Sequence, residues 1–456
     1  MKKLFIIVYI LIFFFLSSCK KYLDIPAPDN QLIKQTVFSD NKTATSAMLS
    51  IYAQLEGEST LYNLTLYPGY SSDEFINYST GQYNIDMATN NLTADNSLVL
   101  SLWSRLYKYI YEANSVMEGL ANSPGISATI AKQLQGEALF VRAFCHFYLV
   151  NLFGKIPIAL TTDYVTNSRA QRAAIPDVYS QIIADLQQAQ NLLTDQYVSA
   201  TNLPSTERVR PNKWAATALL ARVFLYKGDY TNALNTSNSI IGQPTYSIVP
   251  NLNDVFLKGS SEAIWQILPE VANYNTVTGG SLILSSTPSN VSLSSQFIGQ
   301  FLSGDGRALS WISSITVGGQ TYYYAYKYKA KQNSPSISEY TIIIRLGEQY
   351  LIRSEARAQT GDLTGAVADL NVIRNRAGLS SLGLMAKEPT LDSIYTERSR
   401  ELFAEYGHRW FDLIRSGKAN TVLPSIKNGW AATDALYPIP QSEINRNPAL
   451  TQNLGY

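Results

Sequence analysis

Cysteine is nearly missing from this sequence: Cys19 and Cys145 are the only two in 456 residues. Two thiols so placed exclude a disulfide framework in the mature chain once Cys19 is consumed at the N-terminus, as argued below. Histidine is as scarce, with only His146 and His408. A metal site or a histidine-based triad needs partners at defined spacing, and no HExxH, GxSxG or CxxC occurs. No cofactor and no metal is therefore expected. The Gly-Gly pairs at 279–280 and 318–319 lack the following Lys-Ser or helix start that would cradle a phosphate. Charge of one sign is not in excess either, with 36 basic against 35 acidic residues, which argues against a nucleic-acid or polyanion partner. Beyond the first residues, no apolar run is long enough to cross a membrane.

What is present begins at the N-terminus. Lys2 and Lys3 precede a continuous apolar run from Leu4 to Phe15, which ends in Leu16-Ser17-Ser18-Cys19. The run is short for a span and is followed by small residues, so residues 1–18 read as an export signal. A small residue directly before Cys, with Leu three positions back, is the lipobox of bacterial lipoproteins. Its chemistry cleaves before Cys19, diacylates the thiol and acylates the new amine. Residues 20–40 open with Lys20-Lys21-Tyr-Leu-Asp-Ile-Pro-Ala-Pro and read as an extended tether.

At 46% hydrophobic residues the remaining chain can bury a large core or two joined lobes. Helical patterns fall at about 40–56, 97–121 and 128–153, the last stopping at Gly154 with Pro157 beyond. Another starts near Pro176, and Lys213–Tyr226 carries Trp214, Ala218, Ala221 and Leu225 on one stripe. Cys145 and His146 sit on the apolar 138–152 run and read as core. A weak repeat aligns 219–234 with 352–367: a helix, a Gly-Asp turn, then a helix with an early Ala. This is a tetratricopeptide-like pattern, in which Gly ends the first helix in the left-handed conformation. The expected fold is thus mainly α, with helical hairpins forming a scaffold. A loop-rich lobe with short strands such as 263–267 and 322–328 follows at about 240–340.

The 30 tyrosines supply flat rings with a polar tip, suited to packing and to sugar stacking alike. Two regions interleave aromatics with Gly, Ser and Asn and are expected to be loops, one at 61–96 and one within 240–340. From the first, Tyr70, Asp73 and Tyr78 are candidate ligand contacts; from the second, Tyr274 and Trp311, the latter expected to be exposed beside a Gly-Gly turn. Asp73-Glu74 can equally be turn or capping acids. Trp265 alternates with Ile264 and Ile267 and reads as core.

The densest signal is 397–418, which contains Glu401, Arg409, Trp410 and Asp412. Glu397, Glu401 and Glu405 lie among Arg398, Arg400 and Arg409, a pattern of structural ion pairs clamping two helices about Gly407 rather than of acid catalysis. The wording ERSRELFAEYGHRWFDLIR closely resembles the signature of the SusD/RagB family of surface nutrient-binding lipoproteins. Leu102-Trp103 to Asn114, Arg142 to Pro157, Arg210 to Arg222, Arg345 to Ala356 and the ending Gln452-Asn-Leu-Gly-Tyr456 are similar to that family too. The resemblance implies an N-terminal helical region over 19–240 and a C-terminal region over 241–456. It also implies a non-catalytic outer-membrane lipoprotein, anchored in lipid through acylated Cys19. Such a protein binds a nutrient, usually an oligosaccharide, and caps a TonB-dependent transporter of the SusC type. Two rivals are a peptide binder or mere transporter lid, and a surface hydrolase with paired carboxylates.

Overall fold

The computed structural model describes residues 37–121, 123–270, 275–331 and 336–456. The export segment, Cys19, the tether up to residue 36 and Tyr274 lie outside the described residues.

The longer helices are α1 (Asn41–Gly57), α2 (Thr60–Ser71), α3 (Gln82–Thr89), α4 (Ser97–Leu120), α5 (Ala128–Phe153) and α6 (Ile175–Leu192). They continue with α7 (Lys213–Lys227), α8 (Tyr230–Ile241), α9 (Leu346–Thr360), α10 (Leu363–Arg376), α11 (Lys387–Leu402) and α12 (His408–Arg415). Several open on a short polar side chain that satisfies the first free backbone donors. Asp40 accepts from Lys42 N at 2.8 Å, Asn96 from Leu98 N at 3.0 Å, and Asn212 from Ala215 N at 2.9 Å. From α4 onward each helix packs on the next in chain order, α4 on α5 through to α9 on α10, and α11 also packs on α9. This is the stacking of a helical-repeat scaffold, and the fold is mainly helical and tetratricopeptide-like. The expected division at 240/241 falls at the last turn of α8, which packs on α9 across it.

The two hairpins of the repeat are built alike. Gly228 (φ 80°) and Gly361 (φ 96°) end α7 and α9 in the left-handed conformation. Asp229 N then bonds back to Phe224 O, and Asp362 N to Arg357 O, both at 2.9 Å. The same aspartates cap the following helices. At the centre, α5 is buried on nearly every side from Gln133 to Phe153, as a helix apolar all round must be. Cys145 is fully buried and its thiol is pushed up by desolvation. His146 is carried down to about 3 by burial and then by the Arg142 charge, so it is neutral.

The lobe between α8 and α9 holds most of the strands, while one short strand lies between α2 and α3 and two lie between α6 and α7. A four-stranded antiparallel sheet runs in the order β1 (Phe75–Asn77), β5 (Val291–Leu293), β7 (Gln320–Ala325), β6 (Ile312–Val317). A small pair joins β2 (Tyr197–Val198) and β3 (Pro204–Ser205), and a buried ribbon joins β4 (Ala263–Ile267) and β8 (Thr341–Arg345). Trp265 on β4 lies edge-on to Phe140 at 4.8 Å and Phe144 at 5.6 Å, tying this ribbon to α5. One expectation is corrected: much of 61–96 is not loop, because α2 and α3 occupy it.

Candidate ligand-binding site

The site begins with the clamp that holds it. In the 397–415 segment the charged side chains are spent on buried partners. Arg345 reaches Glu401 at 2.6 Å and Glu405 at 2.9 Å; Arg307 reaches Glu397 at 2.6 Å and Glu401 at 3.0 Å. Arg376 also pairs with Glu401. Burial alone would raise Glu401, but Arg376, Arg345 and Arg307 overrule it and hold the carboxyl well below the ordinary range. Asp412 accepts from Arg398 and from Arg415, each at 2.8 Å, and Arg415 continues to Glu355 at 2.5 Å. Trp410 is fully buried, edge-on to Trp430 at 5.9 Å.

Between α11 and α12 the backbone turns through left-handed residues: Ala404 (φ 53°), Tyr406 (φ 43°) and Gly407 (φ 74°). For a residue with a Cβ that costs about 1–2 kcal/mol, so the turn needs outside support. Glu74 Oε1 accepts from Ala404 N at 3.2 Å, and Thr65 Oγ1 accepts from Tyr406 N at 3.0 Å. Glu74 is pushed up to about 8, by burial first and by the Asp73 charge second. Arg409, on α12, donates to both oxygens of Asp73 at 2.7 Å. The clamp thus fixes the backbone at 73–74 from behind.

In front of it lies a cleft of about 580 Å³. Its walls are the 72–79 segment, the end of α3 at Ile85–Thr89, Ser294–Gln296 and Ile426–Lys427. Chain positions more than two hundred residues apart meet here because β1 pairs with β5, Phe75 opposite Leu293. Ser294 N donates to Glu74 O at 2.8 Å and Ser294 Oγ to Asp73 O at 2.5 Å. Asn77 closes a local turn, accepting from Ser79 N at 2.9 Å and donating to Ser79 O at 3.0 Å. The half-buried Tyr78 ring stands edge-on to Tyr322 at 5.8 Å. Ile76 and Ile85 are exposed, as are Ser295 and Gln296. Lys427 Nζ donates to Tyr70 O and Ala88 O, both at 2.7 Å, so it caps the last turns of α2 and α3 together. Burial brings that amine down to about 8.

Of the residues singled out from the sequence, Asp73 and Tyr78 line the cleft. Tyr70 and Trp311 do not, and both expectations of a free ring are corrected. Tyr70 is fully buried on α2, its hydroxyl donating to Asn290 O at 2.9 Å. Trp311 is fully buried against Phe256 at 5.5 Å, its indole N–H donating to Leu252 O at 2.8 Å. Each ring has an apolar pocket and a partner for its polar atom, so neither offers a face to a ligand. Asn77, Gln296 and Lys427 escaped sequence reasoning. A turn-forming Asn after an aromatic-rich stretch was a usable signal for the first; Lys427 had none.

The described residues thus form a helical-repeat scaffold whose ion-pair clamp backs a solvent-facing cleft. Two family models match this chain: one described as "Starch-binding associating with outer membrane" over residues 21–225, and the SusD family over residues 307–456. The chain belongs to the SusD family, an outer-membrane-associated family of non-catalytic binding proteins. A SusD-like protein, P25, from Formosa agariphila is 26% identical over 98% of both chains. A SusD superfamily protein from Bacteroides vulgatus superposes with TM-score 0.80 at 22% identity, over 91% of this chain and 99% of that one. Surface glycan-binding protein A from Bacteroides uniformis gives TM-score 0.77 at 21% identity, over 90% and 98%.

Proposed function

We propose that this protein is a lipid-anchored receptor on the cell surface that captures an oligosaccharide in the cleft at Asp73–Tyr78. From there it delivers the glycan to a SusC-type TonB-dependent transporter. The carrying observation is the cleft itself, where the Tyr78 ring and the apolar Ile76 and Ile85 border exposed Ser295 and Gln296. A pyranose offers a C–H face for the first group and hydroxyls for the second. A glycan-binding relative of the same fold and a family described as starch-binding support the ligand class. The lipobox supports the lipid anchor at Cys19, and family membership supports the transporter partner. A hydrolase would need two carboxylates facing the ligand; Asp73, the carboxylate among the described lining residues, is held by Arg409.

Calorimetric titration against maltoheptaose and laminarihexaose, alongside a glycan array, tests this. Truncating a stacking ring costs on the order of 1–3 kcal/mol, by analogy with base stacking, so Tyr78→Ala weakens binding of the glycan by roughly 5- to 160-fold. Binding of peptides but of no glycan would replace the ligand class. Unchanged glycan affinity in Tyr78→Ala would move the site.

A further inference from the structure

A second groove, sharing no lining residue with the first cleft, runs along α4. Its volume is about 510 Å³, within the size range of small-ligand sites. Trp103, Tyr107 and Tyr111 follow one another at four-residue spacing on one stripe of α4. The first two form the floor: Trp103 is buried, and its ring centroid lies 4.9 Å from that of Tyr107, whose hydroxyl donates to Pro157 O at 2.8 Å. Tyr111 departs from this pattern. It is 53% exposed, and across the groove Tyr164 is 81% exposed. Among the described residues neither hydroxyl has a protein partner.

The walls are fixed in advance. Asn114 donates to Ala159 O at 3.1 Å and to Thr161 O at 3.3 Å, and Asn447 donates to Ala170 O at 2.8 Å. These amides are spent on the wall backbone, so little ordering entropy is left to lose on binding. The rim carries a carboxylate and a guanidinium side by side: Arg446 lies 2.5 Å from Glu443, and its side chain is 73% exposed. An acceptor and several donors at that spacing match the vicinal hydroxyls of a sugar, and the exposed rings match its C–H face. A purely apolar ligand would leave the ion pair desolvated, which is costly.

We propose that this groove is a second glycan-binding site, with Tyr111 and Tyr164 as stacking platforms and Glu443 and Arg446 as hydroxyl readers. It rests on the proposed reading of the protein as a glycan receptor. Two separated sites on one rigid body raise the apparent affinity for long chains above that of either site alone.

The test is a glycan array with four proteins: wild type, Tyr111→Ala/Tyr164→Ala, Tyr78→Ala/Gln296→Ala, and all four substitutions together. Tyr111 and Tyr164 are exposed, so their truncation leaves the melting temperature unchanged and folding does not confound the result. The expected outcome is that the groove variant retains polysaccharides at least tenfold more weakly than wild type. The first-cleft variant keeps a residual signal, and the fourfold variant loses it. Loss of all signal in the first-cleft variant alone overturns the second site and leaves the receptor function standing. Signals of the groove variant identical to wild type overturn it as well, and loss of co-purifying barrel protein in that same variant would reassign the groove to a protein interface. A wild type that retains no glycan overturns both the groove and the receptor reading.

Discussion

Glu74 shows how one residue can belong to the scaffold while standing next to the site. It lies beside Asp73 and directly behind the cleft, yet its carboxyl is committed to the strained turn at Ala404. Its ordinary value of 4.5 is raised to about 8 by burial and by Asp73. A carboxyl raised in the folded state contributes stability that is fully present below about pH 4.5. That contribution is lost progressively as pH climbs toward 8, because the unfolded chain ionises first. Glu74→Gln keeps the acceptor oxygen and cannot ionise. Thermal melts of variant and wild type should therefore coincide near pH 4, with the variant melting higher at pH 8; parallel curves would show that Glu74 is ionised in the fold. Glu401 and Asp412 have the opposite sign, since their arginines hold them below the ordinary range. Their stabilisation is present at neutral pH and is lost as pH falls through those depressed values. The first cleft was only partly legible at this scale. Asp73 and Tyr78 could be picked because polar–aromatic interleaving marks them, but the same composition surrounds the buried Tyr70. What distinguishes the two tyrosines is the direction each takes from its own backbone element, which composition does not encode.

At the scale of elements, the turns were legible and the helix α2 was not. Gly-Asp after an apolar helical run is a local signal, because the φ values of 80° and 96° at Gly228 and Gly361 suit glycine above other residues. Helix α2 contains Pro68-Gly69, a pair that ordinarily reads as a turn, and burial from Thr60 to Ser71 on most sides blurs its periodicity. Tertiary packing kept the helix that local propensity opposed. Two substitutions separate these contributions. A Cβ at Gly361 meets nothing within 4 Å, so Gly361→Ala measures backbone strain alone, about 1–2 kcal/mol. Asp412→Ala instead strips the buried Arg398 of its carboxylate, and breaking a buried pair on one side costs about 3–5 kcal/mol. Chemical denaturation should rank Asp412→Ala as the more damaging. In the folded fraction of each variant, glycan affinity should be unchanged; a loss of binding at normal stability would move the 409–412 segment from the clamp into the site.

For the whole molecule, stacking and ion pairing serve one end: a cleft assembled from positions 72–79, 85–89, 294–296 and 426–427 can stay open without a ligand only if its walls are held from behind. Arg409 on Asp73 and Lys427 on the ends of α2 and α3 do that holding. The proposed capture at the cell surface would depend on keeping such a body at the membrane, which brings in Cys19. In the lipobox chemistry three acyl chains are attached there, and each buried methylene is worth roughly 0.8 kcal/mol, so release from the bilayer would be negligible. Cys19→Ala removes the thiol that the proposed lipidation requires and leaves every described contact intact. The purified variant should therefore melt and bind glycan as wild type does, while labelling of intact cells with antibody falls to background. The two readouts fail independently. Surface labelling equal to wild type would overturn the lipid anchor, and weakened glycan binding by soluble protein would mean that the N-terminal segment takes part in the site.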